Sequence, residues 1–399
     1  MIFDIFSEIQ KKDCEAHGGF PQLLTESIAQ AQAAERAGFD CWWEVEHHCS
    51  TDFSYSSCPE MMLQAIAQNT RTLRVGHAGI LVPFEINHPL RAAERVAMLD
   101  QLSGGRVEAG LAKSGGKEWE TFNISESQAT ADLLEASRLL PQAWTQNPFS
   151  WESPRWHVRD RDVLPKPVQK PHPRLWHTCS SPDSFRRAGE MGVGVLGTTL
   201  FAPTSAIATM LEGYRQAIAD CHDPAGQFVN AQAGVFTFVH VARTTRAAVE
   251  SGAPRSALWY VSSAPRVFNV PREIFYQAIR GQTDPRSAGA TASLAVPETP
   301  EASDVSDPNP VISLMKREFA GEEISNEEVF ETIRHLDSVI IGDVAECRKK
   351  VERFRDIGLD RLMCLVQMGE VRHERVLDTI GLIGSELIPH FEDRRRRHG

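Results

Sequence analysis

The sequence predicts an α/β fold, a (β/α)8 TIM barrel with insertions. Short apolar runs alternate with amphipathic helical stretches, and glycines recur where a helix gives way to a strand. Polar, chemistry-bearing residues gather where the apolar runs end. Parallel strands covered on both faces read as continuous apolar runs, and strand–helix alternation is the pattern of a parallel sheet. Eight such strands can close into a barrel; a doubly wound open sheet satisfies the same alternation and stays open at this level.

The chain starts in a strand at Met1 to Phe6. Residues 20–37 set Phe20, Leu24, Ile28, Ala31 and Ala34 on one helical face. Gly38 can end that helix in the left-handed conformation, and 39–43 follow as a buried strand. Helices are expected at 59–68, 89–102, 130–145, 184–190 and 203–219, and strands at 73–80, 107–111, 175–178, 193–196 and 235–241. The helix–Gly–strand junction returns near the C-terminus, with a helix over 344–357, Gly358, and a strand over 361–366. Two stretches break the alternation inside what reads as a single domain, 1–399. Residues 148–173, rich in Trp, Pro and Arg, predict a hairpin-like excursion. Residues 281–310, rich in Ala, Ser, Pro, Thr and Asp, predict a mobile insertion spanning about 261–325, a candidate lid over a barrel mouth.

Hydrophobic residues make up 42% of the 399, ordinary for a globular protein with a large core. The net charge of −11 argues against nucleic acid as a partner, because an acidic surface repels phosphate backbones. The basic run Arg394 to Arg397 reads as a solvated tail. No apolar stretch approaches the roughly 20 residues that span a bilayer, and the N-terminus carries no signal-like leader. Eight cysteines without a CxxC pair predict reduced thiols and a cytoplasmic protein.

Glu44-Val45-Glu46-His47-His48-Cys49 falls at the C-terminal end of the second strand, the end where barrel active sites lie. Adjacent histidines on an extended backbone point to opposite sides, so one can face the mouth. Hydrogen-bonded structural histidines and a metal site are the other readings of this run. In the third strand, Gly76, Ala78 and Gly79 mark either close approach of a ligand or tight barrel packing. Lys113 ends the fourth strand in a glycine-rich turn, and Ser180, Ser181 and Ser184 open the helix after the fifth. A lysine, hydroxyls and helix N-terminal amides suit a phosphate; ordinary helix capping is the alternative.

Taken together, Trp43-Glu44-Val45-Glu46-His47-His48, Gly76-His77-Ala78-Gly79, His88-Pro89-Leu90-Arg91, the run 99–106 and the Ser181/Ser184 pair resemble the bacterial luciferase-like flavin-dependent monooxygenases. The resemblance is strongest over 1–125, continues through 174–200 and resumes at about 340–390. It implies the barrel and an enzyme that uses reduced FMN and O2, through a C4a-peroxyflavin, to oxygenate a small organic substrate. A separate NAD(P)H:flavin reductase would supply the reduced flavin. It implies His47 as the catalytic acid/base, a non-prolyl cis peptide at Ala78–Gly79 against the flavin ring, and Lys113, Ser180, Ser181 and Ser184 around the flavin phosphate. It also implies a homodimer through the early helices. Lys113 departs from the family's arginine, and Ala112 stands where luciferase has a reactive cysteine, so light emission is not implied. A deazaflavin (F420)-dependent oxidoreductase of the same superfamily, a metal-dependent barrel hydrolase and a non-catalytic partner subunit like luciferase β are the rival readings.

Overall fold

The computed structural model describes residues 1–50, 53–269, 271–280 and 306–391. Its strands in chain order are β1 (Ile2–Ser7), β2 (Cys41–Glu44), β3 (Arg74–Leu81), β4 (Val107–Ala112), β5 (Phe149–Glu152), β6 (His157–Arg161), β7 (Leu175–Thr178), β8 (Gly194–Thr198), β9 (Ala233–Ala242), β10 (Ile340–Asp343) and β11 (Arg361–Leu365). Eight of them run parallel in the order β1-β2-β3-β4-β7-β8-β9-β11, and β11 returns to β1 to close a (β/α)8 barrel. β10 stands outside the ring. It pairs with residues Val239 to Ala242 of β9, after that strand has left its barrel neighbours. β5 and β6 form an antiparallel ribbon between β4 and β7.

Helix–strand junctions form where the sequence places glycine. Helix Gly19–Ala37 ends on Gly38 at φ 91°, whose N–H donates to Ala34 and Glu35 carbonyls. Gly358, at φ 79°, makes the same turn between helix Val344–Asp356 and β11. The buried face of the first helix differs from the one its apolar spacing predicts. Leu23, Ser27, Gln30, Ala31 and Ala34 face inward, whereas Phe20 and Leu24 are 44% and 40% exposed. Hydrogen bonds make the polar members of that face tolerable: Ser27 donates to Leu23 O, and Gln30 to Gln367 Oε1.

Helices also occupy much of the 261–325 region read from sequence as an insertion. Ala253–Val267, Arg272–Ile279 and Pro310–Phe319 bury Tyr260, Val261, Phe275, Ile312 and Met315. Their Ala-, Ser- and Pro-rich composition conceals the helical period. Residues 281–305 and the Arg394 to Arg397 run lie outside the described residues.

The barrel floor is charged and aromatic. Asp4 of β1 accepts from Arg361 Nε (2.7 Å) and Nη2 (2.8 Å), from Trp43 Nε1 (3.0 Å) and from the Cys41 amide (3.1 Å). Trp43 meets Trp176 edge-on at 5.3 Å, and Trp176 donates to Glu108. Gly76 and Gly194 make room for the two indoles, since a Cβ at either would strike Trp43 or Trp176. The small residue in β3 at Gly76 therefore serves packing. This wide, fully paired floor seals the lower barrel and leaves the opposite end for chemistry.

Candidate active site

The site is assembled by the loops leaving the C-terminal ends of the strands. Six non-glycine residues there adopt positive φ: Ile9 (45°) and Asp13 (52°) after β1, Cys49 (56°) after β2, Ser114 (66°) after β4, and Leu200 (43°) and Phe201 (70°) after β8. Such conformations are disfavoured for side chains with a Cβ, most of all the β-branched Ile9, and they concentrate where function over-determines the backbone.

The two histidines after β2 part company. His47 turns toward the mouth. Its Nδ1 lies 3.2 Å from Glu118 Oε1 on helix Gly116–Phe122, and its Nε2 lies 3.8 Å from Glu8 Oε2 just beyond β1. Glu118 is itself fixed by Ser114 Oγ and the His48 amide. Phe53 and Phe268 wall the ring, and Tyr260 packs on Phe53 at 4.6 Å and donates to Glu8 Oε1 at 2.7 Å. Burial works against a charged His47, but the bond to Glu118 and the charges of Glu8, Glu118 and Glu46 outweigh it and raise its pKa to about 9. Glu118 is also buried, yet His47, Ser114 and the His48 amide hold its carboxyl below the usual range. His48 faces away and pairs with Glu46, which also accepts from the Leu81 amide and Asn87.

On β3, the peptide between Ala78 and Gly79 is cis, at the position the sequence resemblance implies. The β3–β4 register shifts between His77 and Ile80, and β4 passes so close that a Cβ on Gly79 would sit 2.8 Å from the Leu111 carbonyl carbon. His77 turns outward into a cavity of about 10 Å³, roughly room for one water, beside Glu46, Glu60 and Arg95. Burial pushes its pKa down to about 4.

Lys113 and the serine turn come from paired neighbours, β4 and β7. Lys113 Nζ pairs with Glu126 at 3.0 Å. Ser181 caps helix Pro182–Glu190 in a capping box: its Oγ accepts from the Ser184 amide, and Ser184 Oγ accepts from the Ser180 and Ser181 amides. Both hydroxyls therefore serve the cap. The capping alternative raised by the sequence thus engages both serines. Glu8 and Glu118 were missed, although the alternation Asp4, Phe6, Glu8 already puts Glu8 on the barrel-facing side. Among the described residues, three buried polar atoms at or just beyond the C-terminal ends of β1, β2 and β8 have no hydrogen-bond partner: Glu8 Oε2, Glu44 Oε1 and Thr198 Oγ1.

Residues 1–361 match the family model for luciferase-like monooxygenases. The chain belongs to that family. Among curated relatives, it is 26% identical over 205 residues to the oxygenase component of the flavin-dependent trigonelline monooxygenase of Acinetobacter baylyi, covering 51% of this chain and 56% of the relative. The chain spans little more than half the length of the curated relatives it matches first. Among solved structures, the FMN complex of the oxygenating constituent of 3,6-diketocamphane monooxygenase from Pseudomonas putida superposes with a TM-score of 0.71 at 16% identity, covering 98% of each chain. The coenzyme F420-dependent tetrahydromethanopterin reductase of Methanopyrus kandleri reaches 0.65 at 17%, covering 98% of this chain and 99% of its own. At these identities the structural likeness carries the barrel fold and no more.

Proposed function

We propose that this chain is the oxygenase component of a two-component monooxygenase that uses reduced FMN and O2 to oxygenate a small organic substrate. A separate NAD(P)H:flavin reductase supplies the reduced flavin. The observation that carries the reading is His47, held between two carboxylates at the barrel mouth and walled by aromatic rings, in a member of this family. The cis Ala78–Gly79 peptide and Lys113 fit a flavin with a phosphate tail. When bound, reduced FMN supplies the activation of O2. The chain's own residues orient the reactants, with Phe53, Tyr260 and Phe268 limiting water and His47 giving and taking a proton. Stopped-flow mixing of the protein and reduced FMN with oxygenated buffer tests this. A long-lived absorbing species absent from free flavin is expected. Reoxidation at the free-flavin rate, with tight binding of F420 instead, would move the chain to the deazaflavin branch. None of the eight cysteines is in a disulfide, which fits a reducing compartment such as the cytoplasm; among the described residues no helix is long and apolar enough to cross a membrane.

The phosphate anchor is proposed at Lys113, Ser180, Ser181 and Ser184. If it holds, the Ser181→Ala/Ser184→Ala double variant loses about tenfold or more in FMN affinity and far less for riboflavin, since a bond to a charged group is worth roughly 1.5–3 kcal/mol. Capping alone predicts about 1 kcal/mol of lost stability and equal losses for the two flavins. Titrating both flavins decides.

A homodimer is proposed through helices Pro59–Asn69 and Pro89–Ser103. These helices pack on each other and leave Met61, Met98 and Leu102 at 72%, 48% and 50% exposed, apolar side chains that a partner could cover. Light scattering should give twice 44.4 kDa, and Met61→Asp/Leu102→Asp should shift it to the single value. A monomeric wild type refutes the pairing.

A further inference from the structure

We propose that Glu8 is a positioning residue: with Glu118 it holds the His47 ring between two carboxylates, so that the ring rests doubly protonated with Nε2–H turned toward Glu8. The proposal rests on reading His47 as the acid/base of the site. A neutral imidazole donates from one nitrogen only, yet each nitrogen of His47 faces a carboxylate oxygen, Glu118 at 3.2 Å and Glu8 at 3.8 Å. The Glu8 side chain is 2% exposed. Its Oε1 is satisfied by Tyr260, but Oε2 is buried with no hydrogen-bond partner. An unpartnered carboxylate oxygen is costly, and here it points at the one nearby group able to carry a compensating charge.

The backbone is bent to put it there. Ile9 is forced to φ 45°, and the Glu8 carbonyl is pinned by Ser54 Oγ at 2.9 Å and the Tyr55 amide at 3.3 Å. The charged and titratable groups around the ring are Glu8 after β1, Glu46 and His48 on its own segment, and Glu118 from the helix after β4. Around Glu8 they are His47, Glu44, Glu118 and, from helix Ala253–Val267, Tyr260. Burial, with Glu118 beside it, raises the Glu8 carboxyl pKa, and His47, Tyr260 and Ser54 offset only part of that. The consequence is that His47 enters each turnover as an acid. It delivers the Nε2 proton first and recovers it later, and Glu8 stabilises the charged resting form.

The test reads the ring itself, in the full chain without flavin or substrate. With histidine labelled at Cε1 and the His47 signal assigned through His47→Asn, wild-type His47 should titrate near 9. Glu8→Gln keeps the size of the side chain and the Tyr260 bond; it should lower that midpoint by about one unit or more. It should also move the alkaline limb of the activity profile down by the same amount. A carboxylate that only braces Tyr260 would change the melting temperature and leave the His47 midpoint where it was, and that result overturns the proposal. If Glu8→Gln does not fold, the wild type still answers. The Glu8 Cδ signal should report the His47 titration if the two share charge, and an independent curve refutes the pairing. Loss of the His47 role itself would show separately, as full activity in His47→Ala.

Discussion

His47→Ala is expected to cut turnover by about 10²–10⁴-fold, the range of a lost acid/base group, while the barrel stays folded. The split between activity and stability follows from what the ring touches. Its loss leaves no buried partner stranded on the Glu118 side, because Ser114 and the His48 amide still satisfy that carboxylate. Glu8 keeps Tyr260 but loses the charge opposite its buried Oε2, a burial it can meet by taking up a proton. Thermal melting should therefore fall modestly, and coupled oxygenation should nearly vanish. Turnover near wild type would take His47 out of the mechanism.

Asp4→Ala should produce the largest loss of stability, about 3–5 kcal/mol, because it breaks one side of a buried ion pair. Asp4 and Arg361 are 0% and 1% exposed, and Asp4 is the acceptor for four donors on two strands. Without it, the guanidinium keeps only Asp40 and Gln232 near the barrel rim. The Trp43 indole and the Cys41 amide lose their partner at the same time. Asp40→Ala, at a half-exposed carboxylate, should cost much less. Chemical denaturation of both variants checks the pair. A loss below about 1 kcal/mol for Asp4→Ala would mean the floor relaxes around the gap.

The barrel was legible because its strands are short apolar runs introduced by glycine, a pattern that survives without any knowledge of contacts. The Arg361 to Leu365 strand after Gly358 and the Leu175 to Thr178 strand fall where the sequence puts them. β10 was not visible. Its four residues, Ile-Ile-Gly-Asp, are too few to show a period, and its partner is the far half of a strand about a hundred residues earlier. The helices from 245 to 333 were hidden by Ala, Ser and Pro. At the site, His47 stood out because two histidines beside glutamates at a strand end are rare chemistry. Glu118 did not, since it is one of several acids on a short helix and only the folded chain brings it to the imidazole. The serine turn suits an anion in sequence, and in the fold both hydroxyls also cap their own helix.

β9 has two allegiances. Its first half is barrel wall, hydrogen-bonded to β8 and β11, and its second half belongs to β10 outside the ring. The stretch between residues 245 and 339 therefore hangs from a strand that has already left the barrel, and the ring closes through β11 regardless of how long that stretch is. Yet the same stretch supplies Tyr260 and Phe268, which stand over His47. Evolution can thus lengthen, shorten or recolour the wall over His47 without renegotiating a single barrel register, a division of labour in which the strand ends stay fixed and the cover above them changes.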